Sequence, residues 1–284
     1  MRPLSFPRGA TRHNYWGECI VIEKQLAGSG PGWLGREGAM ERVAANLKLV
    51  RGIGPVTQSR LHAEGYADLY SLRSHPKWGP AAGQTVDWIE ARDWSSLLSR
   101  KASDLGLLGM CDPERTVFLD IETTGLTASA PLFMVGMLLP VPGGFKLCQM
   151  FARDYDEETA VLEETSSMLA SAHAVVTFNG RCFDMPYISR RLAYYGRDDA
   201  FRGLVVDLLA HARRAFRSQL PDCRLATIQT TVLNTPREND IPGYMIPEVY
   251  QTFVRTGDAR LVLPIIDHNE LDLIAMADLL PLLA

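Results

Sequence analysis

The sequence predicts an α/β fold, a sheet flanked by helices, preceded by a small mainly helical domain. Apolar runs of strand length stand at 116–120, 132–138, 145–151 and 174–178, with a helical spacing over 156–170 before the last. From Arg42 to Leu72 the spacing is helical instead: Val43, Leu47 and Val50 share one side, and Leu61, Leu69 and Leu72 follow. The chain has 284 residues, above the usual size of one domain, so more than one unit is expected.

Residues 1–38 read as an irregular N-terminal segment, with one strand-like run, Glu18–Glu23, and a glycine-rich stretch, Ala27–Gly32. Residues 39–105 form the helical domain, in which two short helices flank Gly52-Ile53-Gly54-Pro55. The change of pattern near Cys111-Asp112-Pro113 opens the α/β domain, residues 112–284. After its strands come a helix over 185–195, a short strand at 204–206 and mostly helical segments to the end. No internal repeat or low-complexity tract interrupts the chain.

A formal net charge of −4 excludes a protein coated in basic surface, so contact with nucleic acid must come from local basic patches and metal ions. Five cysteines, scattered and without a C-x-x-C pair, read as reduced and mostly buried. No apolar run approaches the ~20 residues that span a bilayer, and Met1–Ser5 lacks a signal peptide's apolar stretch. The expected compartment is the cytoplasm, with no membrane contact.

Asp120 and Glu122 end an apolar strand, and residues two apart share a strand face. Paired carboxylates repel unless a cation neutralises them, and oxygen donors select hard ions such as Mg2+ or Mn2+. The other reading is a solvated strand end. Asp184 follows the run Ala174–Phe178 and opens a helix, where it is either a further ligand or a helix cap ahead of Met185-Pro186. Asp272 lies in a helical stretch, as a ligand or on a solvated face.

Taken in order, D-x-E-T-T-G-L from Asp120, N-x-x-x-F-D from Asn179 and H-N-x-x-D from His268 resemble the three motifs of the DEDD 3′–5′ exonucleases. The wording Asp240-Ile241-Pro242-Gly243, Pro247, Thr256-Gly257-Asp258 and His268-Asn269 is similar to the bacterial YprB-like group. The resemblance covers about residues 114–280 and implies a ribonuclease H-like mixed sheet flanked by helices. It also implies that Asp120, Glu122, Asp184 and Asp272 hold two Mg2+ or Mn2+ ions, which clamp the attacking and leaving oxygens of a phosphodiester. By the same resemblance, Thr123, Gly125 and Leu126 meet the terminal nucleotide, and Asn179 belongs to the substrate site.

One departure stands out. Family members carry a tyrosine four residues before the last aspartate or a histidine five before it, whereas His268 stands four before Asp272. At about 100° per residue, that places the imidazole within roughly 40° of the aspartate's helical face. His268 is a candidate base, water-positioning donor, phosphate contact or structural histidine.

Arg213, Arg214 and Arg217 are candidate phosphate contacts, since guanidinium forks suit phosphate, or a solvated helix face. The stretch Val50–Thr57 with Arg60 is similar to a helix-hairpin-helix element. There Gly52 and Gly54 would let backbone N–H groups approach a DNA phosphate, beside Arg51 and Arg60. The alternative is a tight turn between packed helices. The expected partner is nucleic acid, single-stranded DNA with a 3′ end, with no protein partner. An RNase or structure-specific nuclease of the same fold is the alternative, and the intact acidic set argues against a binding-only protein.

Overall fold

In a computed structural model of the protein, residue 6, residues 8–27 and residues 37–284 are described. The start of the chain and most of the glycine-rich stretch lie outside these residues. Two strands come first, β1 (Ala10–Asn14) and β2 (Gly17–Ala27). Helices α1 (Ala39–Ala44), α2 (Pro55–Ala63), α3 (Leu69–Leu72), α4 (Gly79–Glu90), α5 (Trp94–Ser99) and α6 (Asp104–Leu108) follow. Then come β3 (Thr116–Thr123), β4 (Leu132–Val141), β5 (Gly144–Phe151), α7 (Glu158–Leu169), β6 (Ala174–Thr177), α8 (Asp184–Tyr194) and β7 (Leu204–Asp207). The chain closes with α9 (Leu208–Phe216), α10 (Leu225–Thr231), α11 (Ile246–Thr256) and α12 (Leu263–Leu283).

One compact unit combines Met1–Pro31 with Glu114–Ala284, and the other is Gly32–Pro113. In the first, the strands form one sheet in the order β1-β2-β5-β4-β3-β6-β7. The pairs β3–β6 and β6–β7 are parallel and the others antiparallel, so the sheet is mixed, as expected. Parallel neighbours need a crossover, and α8 supplies it between β6 and β7. The run Ala174-Val175-Val176-Thr177 is buried throughout, as suits a short parallel strand in the sheet interior. Phe133 of β4 stacks on Tyr250 of α11 with ring centroids 3.8 Å apart, and Phe151 and Phe253 surround the pair. The Tyr250 hydroxyl donates to the Ala152 carbonyl at 3.0 Å, so its buried polar end is satisfied.

The N-terminal strands differ from the sequence expectation of an irregular lead-in. Ile20–Ala27 pair antiparallel with Gly144–Phe151, and β1 pairs with β2. The strand-like run is therefore the middle of an eleven-residue strand. Its extension was hard to read because β2 finds its partner far along the chain, and β1, Ala-Thr-Arg-His-Asn, is polar and mostly exposed.

In the second unit, Leu47, Leu61, Leu69, Leu72, Val86, Ile89 and Leu97 are buried. Gly52 turns the chain with φ +92°, and Pro55 opens α2 at a position where a missing N–H is harmless. On the near side of this turn stands a single 3-10 turn, Leu47–Leu49, where an α-helix was expected. Among the described residues no helix is long and apolar enough to cross a membrane.

A buried ion pair ties three elements of the first unit together. Arg191 of α8 clasps Glu158 of α7, with Nε to Oε1 at 2.7 Å, and their side chains are 4% and 1% exposed. The Leu132 N–H and the Tyr195 hydroxyl donate to the same carboxylate, each at 2.7 Å. Arg191 also donates to the Ala128 carbonyl at 3.2 Å, which anchors the loop after β3. Breaking the pair leaves an uncompensated buried charge, so Arg191→Met should lower unfolding free energy by roughly 3–5 kcal/mol. Urea unfolding measures this, and an unchanged midpoint would show that the pair is dispensable.

Candidate functional site

β6 runs parallel to the first half of β3, with Val176 opposite Phe118, so the chain leaves β6 beside the stretch of β3 that carries Asp120 and Glu122. Asp120 and Glu122 stand on one face of β3, whose register with β4 shifts between Glu122 and Thr123. Beyond β6 a tight turn leads to Asp184. Asn179 adopts a left-handed φ of +70°, and its N–H donates to Asp207 Oδ1 at 2.8 Å. Asp207 therefore pins the turn from the end of β7.

Asp184 is the first residue of α8, and the cap position belongs to Phe183, which makes no side-chain cap. The Asp184 carboxylate instead accepts the N–H of Ile121 in β3 and its own N–H. That joins it to the strand bearing Asp120 and Glu122. The third element is α12, which packs across β3 and β4. His268, Asn269 and Asp272 project from it.

Burial, followed by the charges of Asp272, Glu122 and Asp184, pushes the Asp120 carboxyl well above the ordinary carboxylate range. Burial, then Asp272 and Asp184, does the same to Glu122. Asp184 is pushed up to about 7, mainly by burial. The fold thus brings the four predicted carboxylates within electrostatic reach of one another. Their oxygen-only chemistry fits a hard divalent ion. Among the described residues, however, no three His, Cys, Asp or Glu side chains already form a cage.

Two of the carboxylates are held by neighbours of different kinds. Asp120 Oδ2 accepts the Asn269 side-chain N–H at 2.8 Å. Asn269 Oδ1 in turn accepts from Gln149 Nε2 at 3.0 Å, and the same nitrogen donates to the Ile266 carbonyl at 2.8 Å. This relay fits because residue 136 is glycine: a Cβ there would fall 1.9 Å from Asn269 Oδ1. Asp272 Oδ1 accepts from Arg237, and Asp272 Oδ2 lies 3.6 Å from His268 Nε2. His268 Nδ1 lies 2.7 Å from Asp240 Oδ1, and Arg237 donates to the other Asp240 oxygen at 3.0 Å.

Sequence reasoning missed Gln149, Gly136 and Arg237, and it named Asn269 and Asp240 only within motifs. Asn269, adjacent to His268, carried the one usable signal.

The remaining candidates surround these acids or stand apart. The Thr123 hydroxyl donates to the Gly125 carbonyl at 2.8 Å, and Tyr187 OH reaches the same oxygen at 3.2 Å. Leu126 is 89% exposed at the tip of this loop. Arg213, Arg214 and Arg217 are exposed along α9, which packs against α12. Arg213 and Arg217 line an open hollow of about 450 Å³ with Leu220, Pro221, Asp222 and Cys223. Arg51 and Arg60 are exposed in the second unit, Arg60 with Glu64 at 3.5 Å. Cys19, Cys111 and Cys148 are buried, Cys223 partly so and Cys182 exposed.

The RNase H superfamily model RNase_H_2 matches residues 117–284. A Bacillus subtilis relative described as "Uncharacterized protein YprB" is 28% identical over 188 residues, 57% of this chain and 40% of that protein. The chain thus spans well under half of this relative's length. The family B DNA polymerase of the archaeon Pyrobaculum calidifontis superposes with a TM-score of 0.49 at 17% identity, over 59% of this chain and 24% of the polymerase. The family match points to a nuclease-type function, and RNase H-like nucleases generally use divalent metals.

Two expectations follow. A carboxyl with a raised folded pKa binds more protons folded than unfolded between its two values. For Asp184 stability should therefore fall as pH rises from about 4 towards 7. In EDTA the melting temperature should drop between pH 5 and pH 8, and Asp184→Asn should flatten part of that drop. A profile rising across this range would contradict the assignment. Separately, Gly136→Ala should destabilise by roughly 1–3 kcal/mol, because the new methyl meets Asn269 in a filled space. In the double variant with Asn269→Ala the two losses should be less than additive, and full additivity would show that they do not interact.

Proposed function

The chain belongs to the RNase H superfamily, and from that membership we propose that it is a divalent-metal-dependent 3′–5′ exonuclease acting on single-stranded DNA. The observation that carries the reading is the convergence of Asp120, Glu122, Asp184 and Asp272, delivered by β3, the start of α8 and α12, where the negative charges of Asp184 and Asp272 act on Glu122 and, with that of Glu122, on Asp120. Two Mg2+ or Mn2+ ions held there would stabilise charge on the attacking and leaving oxygens and lower the pKa of the attacking water. The direction of attack and the single-stranded substrate rest on the DEDD resemblance of the three motifs.

The chain's own residues supply the remaining steps. With Nδ1 donating to Asp240, His268 keeps its Nε2 lone pair on the side of Asp272, where it can take a proton from water. A carboxylate that fixes an imidazole tautomer is the same device that orients the histidine of a hydrolase triad. Arg213, Arg214 and Arg217 offer guanidinium forks to the phosphates of an incoming strand. Thr123 and Gly125 shape the loop that presents Leu126 to the terminal base, and Asn179 turns the chain into Asp184. In the second unit, the turn at Gly52 and Gly54 with Arg51 and Arg60 is read as a helix-hairpin-helix that holds the DNA backbone without regard to sequence.

With Mg2+ or Mn2+, the full chain should shorten 5′-labelled single-stranded DNA progressively from the 3′ end, and EDTA should stop it. Asp120→Asn or Asp184→Asn should cut turnover by at least roughly 10²-fold, the scale of losing an electrostatic stabiliser in a dry site. His268→Ala should lose roughly 10²–10⁴-fold if it is the base. Faster shortening of RNA would move the substrate to RNA, and internal cuts would make the protein a structure-specific nuclease. Binding without cleavage would defeat the enzymatic reading.

A further inference from the structure

The carboxylate most exposed to competition is Asp272, because its partner is a full positive charge. Arg237 reaches it from the segment between α10 and α11, outside any helix or strand. Its side chain is 6% exposed and held on three sides: Nε donates to Gln229, Nη1 to Asp240 at 3.0 Å and Nη2 to Asp272. The contrast with Asp120 is chemical. There the anchor is a neutral amide on one oxygen, which orients the carboxylate and leaves its charge for a cation. At Asp272 the guanidinium neutralises the charge itself and occupies an oxygen that an ion would need.

We propose that Arg237 is a built-in counter-cation that competes with the divalent ion for Asp272, so that loading the acidic site requires the guanidinium to release that carboxylate. The inference rests on the metal-dependent reading above. It gives Arg237 somewhere to go. On leaving Asp272 it keeps Asp240 and Gln229 as anchors, with one edge of its fork free for a phosphate oxygen. Because Arg237 is carried by a loop, its withdrawal requires no helix to move.

The sign of one measurement separates this role from a merely structural one. Mn2+ binding to the full chain is followed by isothermal titration calorimetry, and thermal melting is followed with EDTA or with Mn2+. Arg237→Met should bind Mn2+ about tenfold more tightly than the unaltered protein, the scale of removing one adjacent opposite charge. Its melting temperature in EDTA should fall, and the rise on adding Mn2+ should be larger. Arg237→Lys, which keeps the charge but loses the fork, should shift in the same direction by less, and it serves if the methionine variant does not fold. Unchanged or weaker Mn2+ binding in a folded variant would overturn the competition, while the metal reading would survive if the Asp184→Asn variant still bound Mn2+ more weakly than the unaltered chain. No Mn2+ binding by any protein would overturn both.

Discussion

Bringing four carboxylates together from one strand, the start of one helix and the flank of another sets charge against charge in a place largely shielded from water. Burial and mutual repulsion both favour the neutral forms, and both push Asp120, Glu122 and Asp184 upward. Much of the surrounding architecture acts as counterweight. The N–H of Ile121 supports Asp184, the amide of Asn269 supports Asp120, and Arg237 supports Asp272. Each uses a different class of donor, so the carboxylates are not equivalent towards an incoming cation. The backbone and amide donors orient without neutralising, while the guanidinium does both.

This arrangement depends on how closely α12 lies against the sheet. Asn269 and Leu273 meet β4 at Gly136, where any side chain would collide with both. One turn of the helix then places His268 and Asp272 on a common face towards the acids of β3, while Gln149, buried in β5, holds Asn269 from below. Helix position, amide relay and carboxylate geometry are therefore one packing problem, solved around a missing methyl group. The Glu158–Arg191 pair performs the corresponding task for the loop that carries Leu126.

The parts legible in the sequence were those with local periodicity. The strands of 116–178 were legible as apolar runs, the same-face placement of Asp120 and Glu122 follows from the two-residue period of a strand, and the mixed sheet flanked by helices is as expected. Asp184 was ambiguous because an aspartate before Met-Pro suits a cap as well as a ligand, and its contact with the distant Ile121 N–H is made only by the fold. Gln149 was invisible because a polar residue in a strand reads as solvent-facing, and its burial depends on α12, more than a hundred residues later. Arg237 went unread because one of the two carboxylates that hold it, Asp272, is brought to it only by the fold.

The sheet of the first unit is interrupted in the chain by the whole of the second. Strand β2 ends at Ala27, and β5, its partner on the sheet side, begins at Gly144. During synthesis from the N-terminus, the helical unit can assemble its own leucine-rich core while β2 still lacks that neighbour. Ile20, Val21 and Ile22 are then an apolar strand with a naked edge, a template for pairing with other chains. β1 pairs with one edge of β2 across a short turn, and its Thr11, Arg12 and His13 face water. The polar hairpin thereby gives the nascent strand a guard on one flank until its permanent partner is made.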